Sequence, residues 1–330
     1  MNRLNNLLKP VRRETHAKHD VRTVAAMTTA APFDLVSATS VDEVVEALAA
    51  DREARVLAGG QSLLPLLVTR TIRPAVLIDV NEVGLDGIDV DRAEGVLRIG
   101  ALVRHRAVEL SPTVATAAPL LAAAAAWVGH PAIRHRGTLG GSLAHADPAA
   151  ELPAALVALG ADVVVQGPGG TRHVAAASLA TGPFETTLAH DEIVVEVLIP
   201  LDDAGHRAAA FCEWAPRHRD RAEAGVGITL TATSDGRACG PGRAAACGIG
   251  MGPVDLTPVV DDALRSAPVD EDLSDALVRH VAAAVDGVCR EHGGDADRTA
   301  LAGALAARAA VRSHRRLAAS VAGEPGRAVA

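Results

Sequence analysis

Between Arg136 and Glu151 the sequence reads RGTLGGSLAHADPAAE. Thr138 and Ser142 flank the pair Gly140–Gly141, and His145, Asp147 and Glu151 follow. Three chemistries use such residues: nucleophilic hydrolysis, metal ligation, and the holding of a phosphorylated ligand. A nucleophilic serine of the common kind sits in a GxSxG turn, and Ser142 does not. A metal site needs three or four ligands. His145 and Asp147 are two apart, with no second His or Cys at helical spacing. The third chemistry asks less. Two glycines let the backbone approach a ligand closely, and amides with Thr and Ser hydroxyls donate to a pyrophosphate without a cation. Asp147 and Glu151 then suit ribose hydroxyls or an adenine amine. Asp147, placed before Pro148, equally suits the first turn of a helix.

A second glycine pair lies in Ala58-Gly59-Gly60-Gln61-Ser62, directly after the apolar stretch ARVL. It reads either as an anion nest at a strand end or as a plain tight turn. Neither pair sits in GxxxxGK[ST], and neither opens a helix as GxGxxG with an acidic residue about twenty positions on. The run Gly248-Ile249-Gly250-Met251-Gly252 comes nearer to that pattern, but Pro253 follows it and marks a strand-end turn.

The elements that must position these turns follow from periodicity. Ser40 and Glu43 have capping-box spacing ahead of a helix over 40–50. Strands are expected at 54–58, 75–80, 95–102, 161–166 and 192–200, where branched residues cluster, with GPGG as a turn after 166. Helices are expected at 104–110, at about 119–129, and at 149–159, the last stopped by Gly160. Beyond 206, FCEWAP, GVGITLTAT and GRAAACGIG alternate as strands, and the last seventy residues read as helices. Strands followed by helices indicate an α+β unit, with LDDAGH (201–206) as the boundary.

Bulk composition narrows the function. The chain has 330 residues, a net charge of −8 and 49% hydrophobic residues. The acidic balance disfavours nucleic acid. The alanine-rich run between Glu109 and Arg134 is interrupted by Pro112, Pro119 and Pro131, which fits a buried helix better than a membrane span. Cys212, Cys239, Cys247 and Cys289 fit no zinc or iron–sulfur spacing and are expected as free thiols in the cytoplasm. There is no tyrosine, so Phe33, Phe184, Phe211, Trp127 and Trp214 are the aromatics. Residues 1–30 are polar, without an apolar signal core, and are expected to be a disordered extension, with Met27 as an alternative start.

AGGQSLLPLL (58–67) together with IRHRGTLGGSLAHADPAAELPA (133–154) closely resembles the FAD-binding medium subunit of the molybdenum hydroxylases, the carbon monoxide dehydrogenase and xanthine dehydrogenase relatives. AVLIDV, LRIGALVRHRAVE, DEIVVEVLIP and FCEWAPRHRDRAEAGVGI agree with it. The resemblance spans about residues 32–325. Two departures stand out. His135 replaces the usual Asn, and the usual Gly-Asp-Phe-Ala reads Arg219-Asp220-Arg221-Ala222.

The resemblance implies an α+β chain. A two-part FAD-binding region of the vanillyl-alcohol-oxidase (PCMH) type would cover 31–204, with subdomains of about 31–84 and 85–204. A smaller α+β C-terminal domain, 205–325, and a tail, 326–330, would follow. Leu57, Ala58, Gly59, Gly60, Gln61 and Ser62, with Thr138, Gly140, Gly141 and Ser142, would clamp the FAD pyrophosphate. His145, Asp147 and Glu151 would lie along the adenosine half, and Ile193 and Val194 against the cofactor. No catalytic or metal-ligating side chain is expected in this chain. Partners would be a small subunit with two two-iron, two-sulfur clusters and a large molybdopterin subunit, arranged as a dimer of heterotrimers. The implied role is electron transfer from those clusters through FAD to an external acceptor. A self-contained FAD oxidase or dehydrogenase of the same fold superfamily is the alternative, and a non-catalytic nucleotide-binding scaffold a third.

Overall fold

A computed structural model describes residues 30–201, 206–217 and 220–323. The expected N-terminal extension with Met27, the core of the 201–206 boundary, Arg219 and the tail lie outside the described residues.

The first layer alternates strand and helix: β1 (Asp34–Ser37), α1 (Val41–Ala50), β2 (Arg55–Leu57), α2 (Leu63–Val68) and β3 (Val76–Asp79). The strands form a parallel sheet in the order β1–β3–β2. Val44, Val45 and Leu48 of α1 pack with Ala38, Ile78 and Val80. Ser40 caps α1 by accepting from the Glu43 amide at 3.3 Å. The Glu43 carboxylate, expected to reach back to Ser40, takes the Thr39 amide instead, at 2.7 Å.

The second layer begins with β4 (Ile88–Asp91) and β5 (Val96–Gly100). Seven short helices follow: α3 (His105–Leu110), α4 (Pro112–Ala117), α5 (Pro119–Ala125), α6 (Pro131–Arg134), α7 (Leu139–His145), α8 (Glu151–Leu159) and, after strands β6 (Asp162–Gly167) and β7 (Gly170–Ala175), α9 (Ala176–Leu179). A small hairpin, β8 (Ala180–Gly182) and β9 (Glu185–Thr186), precedes β10 (Ile193–Pro200). The antiparallel sheet runs β4–β5–β10–β6–β7. GPGG leads into β7, a strand not foreseen because its largely exposed residues leave no apolar run. The helix expected over 119–129 stops at Ala125. Every residue of α8 is buried, as its unbroken apolar sequence requires, and Gly160 ends it at φ 64°.

The third layer is a four-stranded antiparallel sheet of β11 (Arg207–Trp214), β12 (Ala224–Ala232), β13 (Cys239–Cys247) and β14 (Val254–Asp255). After it come α10 (Thr257–Leu264), α11 (Asp275–Glu291) and α12 (Ala296–Val321), as expected of strands followed by helices. Helix α12 packs on β11 and β12, while α5 and α8 of the second layer pack against the same sheet. Strand β12 is therefore buried along its whole length. No described helix is long and apolar enough to cross a membrane.

Candidate functional site

The two glycine turns meet. Strand β2 delivers the first, and a Cβ on Gly59 would lie 2.2 Å from the Arg136 carbonyl oxygen and 2.8 Å from Gly137 Cα. Only a glycine leaves the two backbones this close. Side chains tie the same junction. Asn81, just past β3, donates to the Ala58 carbonyl at 3.1 Å. The Asn81 Oδ1 accepts from Arg104 Nη2 at 2.6 Å, and Arg104 Nη1 donates to the Arg136 carbonyl at 2.5 Å.

The second turn is built into the sheet. Arg104 and Thr138 form an isolated antiparallel bridge. The Leu139 amide donates to Val103 O at 3.0 Å and the Gly140 amide to Ala101 O at 2.8 Å. A Cβ on Gly140 would lie 2.6 Å from Ala101 Cβ. Thr138 is buried and caps α7, accepting from the Gly141 amide at 3.2 Å. The Ser142 amide bonds Thr138 O at 3.0 Å. The amides of 139–142 are thus all engaged within the chain, and the half-buried Ser142 hydroxyl is the donor this turn has left.

The first turn is the complement. Among the described residues, no acceptor meets the backbone amides of Gly59, Gly60, Gln61 or Ser62. Gly59 and Gly60 are buried, and Gly60 holds φ 74°. Gln61 is half-buried and Ser62 exposed; unpartnered buried donors such as those of Gly59 and Gly60 are uncommon, and two of them on a glycine turn suit an anionic ligand. Gln61 folds its amide back to Gly59 O at 3.3 Å.

Beneath the second turn, His105 is buried with Nε2 2.9 Å from Thr138 O. Burial brings its pKa down to about 4, against the pull of the Thr138 carbonyl and with help from Arg104 and Arg134. The ring is neutral at pH 7, and its bond to a carbonyl puts the proton on Nε2.

Past α7 the chain turns sharply. Ala146 has φ 49° and Phe184 φ 63°, and the Phe184 amide donates to Ala146 O at 2.9 Å. Positive φ at residues other than glycine costs energy and clusters at functional sites. The exposed Phe184 ring tilts against His145, with centroids 5.1 Å apart. Burial lowers the His145 pKa. Asp147 accepts from Arg221 at 2.6 and 3.1 Å and from the Ala149 amide at 2.9 Å. Burial opposes ionisation of Asp147, but Arg221 and that amide outweigh it and hold its pKa low. Glu151, at the start of α8, is buried, and loss of solvent pushes its pKa up to about 7. Ile193 and Val194 are buried at the start of β10, in the seam between the first and second layers. Sequence reasoning missed Asn81, Arg104 and Phe184. LRIGALVRHRAVE carried Arg104 in plain view, but nothing local shows that its side chain spans two turns.

Residues 31–202 match the family described as "FAD binding domain in molybdopterin dehydrogenase". The chain belongs to the FAD-binding medium subunits of the molybdenum hydroxylases. The 6-hydroxypseudooxynicotine dehydrogenase complex subunit alpha of Paenarthrobacter nicotinovorans is 42% identical over 62% of this chain and 69% of its own length. The nicotine 6-hydroxylase medium subunit of the same organism is 36% identical over 78% and 88%. Among solved structures, a carbon monoxide dehydrogenase of Hydrogenophaga pseudoflava lacking the Mo-pyranopterin moiety of the molybdenum cofactor superposes with a TM-score of 0.78. It shares 32% sequence identity and covers 86% of this chain and 98% of that one. This medium subunit is accordingly part of an oxidoreductase, and its own cofactor is FAD. The unpartnered amides of 59–62, set against a second turn that contributes a hydroxyl, fit a pyrophosphate. Of the two departures from the family pattern, Arg221 has a defined place, on Asp147.

Proposed function

We propose that this medium subunit holds FAD between its two glycine turns and serves as the electron-transfer subunit of a heterotrimeric molybdenum hydroxylase. It would take electrons from the iron–sulfur clusters of a small partner subunit and pass them to an external acceptor. The observation that carries this is the junction at Gly59 and Arg136, where unpartnered backbone donors face a glycine turn whose own amides are engaged. Bound FAD supplies one- and two-electron chemistry. The chain's own residues bind and orient it. Gly59, Gly60, Gln61 and Ser62 donate amides to the pyrophosphate, with Leu57 and Ala58 shaping the approach. Ser142 adds its hydroxyl, while Thr138, Gly140 and Gly141 fix the turn. His145, Asp147 and Glu151 line the adenosine half, and Ile193 and Val194 form an apolar floor. No side chain acts as an acid, base or nucleophile on a substrate.

We read the first two layers as a PCMH-type FAD region ending near 204 and the third as a C-terminal domain over it. The third layer's own core, between its sheet and α10–α12, supports that division, and the sheet's other face joins the core of the second layer. The large partner would carry the molybdopterin cofactor, and two heterotrimers would pair. Four buried free thiols fit a cytoplasmic setting. The self-contained oxidase is disfavoured because the relatives are named as subunits. Purified full chain should release FAD on denaturation, in about equimolar amount, and co-purify with two other subunits. A chain that binds no flavin from micromolar FAD would refute the reading.

A further inference from the structure

Two glutamates are buried among the described residues, and both lie where α8 meets the third layer's sheet. Glu151 sits on α8, and Glu213 comes from β11. Glu213 is 8% exposed, and neither of its carboxyl oxygens has a hydrogen-bond partner. A buried polar group in that condition is costly and calls for a ligand or a partner. Register clears the space around it. Glu213 pairs with Gly225 and Gly225 with Cys247, so the three share one face of the sheet. A Cβ on Gly225 would press on Cys247 Sγ at 2.8 Å, and glycine leaves that lane open.

The groups around Glu213 are few. Glu151 faces it from α8 and Cys247 from β13, a thiol that burial and nearby carboxylates keep neutral. Asp147 stands in the link before α8, its charge met by Arg221, with His145 beside it. Helix α5 presents only proline, leucine and alanine. Arg308, Arg312 and Arg316 of α12 act on Cys212, which lies on the opposite face of β11. Among the described residues, no cation therefore stabilises a charged Glu213. Burial first, then the Glu151 charge, raises its pKa to about 9, while Glu151 loses its proton earlier, near 7. No three His, Cys, Asp or Glu side chains converge as a metal site among the described residues.

We propose that Glu213 is a cofactor-positioning residue acting through Glu151: the pair keeps one proton, held on the unpartnered Glu213 carboxyl, whose hydroxyl turns to donate to Glu151 when the cofactor is bound. Glu151 is then fixed as an acceptor for the cofactor's hydroxyls. A second charge in the same dry seam would push the carboxyls apart. The proposal rests on the reading of Glu151 as a carboxylate for the FAD ribose.

The test uses the full chain, with FAD as the probe, and two measurements between about pH 6 and 10.5, a range that spans the Glu213 ionisation near 9. The first is the FAD dissociation constant from flavin fluorescence. In the wild type it should be lowest between about 7 and 9, where the pair holds one proton, and rise above 9 toward the tenfold per pH unit that one linked proton allows. Glu213→Gln keeps a donor but cannot ionise, and should flatten that rise. Glu213→Leu should also be flat but bind FAD roughly fivefold to tenfold more weakly at pH 7 than Glu213→Gln, for lack of the hydrogen bond. A Glu213→Gln profile that follows the wild type overturns the proposal, as does a leucine variant binding as tightly as the glutamine one. The second measurement is the melting temperature without FAD. Carboxyls whose folded pKa is raised hold protons that the unfolded chain has lost, so stability falls as pH climbs from the unfolded value toward 9. Glu213→Gln should remove most of that fall, and a flat wild-type profile overturns the shared proton independently of any cofactor. If Glu151→Gln binds FAD like the wild type, the ribose reading fails, and the melting profiles still decide the pair.

Discussion

At the scale of single residues, the site separates groups that hold a ligand from groups that hold the holder. Gly59 is of the second kind. Its missing Cβ admits the Arg136 carbonyl, so Gly59→Ala must drive two backbones apart. Overpacking of this sort costs about 1–3 kcal/mol, and the displaced turn should also lose FAD. Ser142 is of the first kind in the proposed reading, since among the described residues its hydroxyl has no partner. Ser142→Ala should weaken FAD binding while moving stability by no more than about 0.5 kcal/mol. Denaturant titration beside flavin binding separates the two, and equal stability losses would contradict the division. Both glycine pairs stand out in the sequence as turns, and the structure brings the two turns together at Gly59 and Arg136. Their division of labour was not legible in the sequence. Whether an amide is free depends on Val103 and Ala101, which a linear reading cannot set opposite Leu139 and Gly140. The Thr138 hydroxyl, read as a ligand donor, is buried as a helix cap.

At the scale of elements, α6 explains how the second turn is presented. It is one turn long, and Arg134 at its end is 1% exposed. The guanidinium pairs with Glu109 of α3 at 2.8 Å and donates to Val128 O and Gly129 O at 3.1 and 2.7 Å. This one cation fastens the loop entering the turn to the helix that carries His105. Arg134→Met would leave Glu109 and two carbonyls without it. Removing one partner of a buried pair costs about 3–5 kcal/mol, and the remaining Arg106–Glu109 bond puts the expectation near the lower end. A shift in the urea midpoint measures it, and a loss below about 1 kcal/mol would show that Arg106 suffices. Nothing in HPAIRHRG set Arg134 apart from its neighbours, because burial of a charge is decided by what packs over it. Helix α8 was legible from its unbroken apolar run ended by Gly160, and α11 and α12 as the amphipathic helices that close the chain. Strands β1, β4 and β7 were not, since exposed edge strands lack the apolar alternation that betrays a half-buried one.

At the scale of the whole molecule, the third layer reaches back to the cradle, among the described residues, through the ion pair of Arg221 with Asp147. The family pattern has an aromatic at this position, which would pack; an arginine reaches out and binds a carboxylate instead. The pair and the buried glutamates give one seam two opposite pH slopes. Asp147 has a depressed pKa, so its contribution is present above the unfolded value near 4 and lost as pH falls through the folded one. The raised carboxyls of Glu151 and Glu213 cost stability as pH rises toward 9. The seam should be tightest between these limits, in mildly acidic solution. The ion pair itself is modest, because the Arg221 side chain is 59% exposed and solvent screens it. A double-mutant cycle with Arg221→Ala and Asp147→Asn should give a coupling of about 0.5–1 kcal/mol at low salt. At 1 M salt, where screening acts over about 3 Å, most of it should vanish. A coupling that persisted in salt would mean that the pair is closed to solvent and that the third layer sits more firmly on the cradle than its exposure implies. No coupling at either salt would remove Arg221 as a strap and leave the buried glutamates as the polar link between the two halves of the seam.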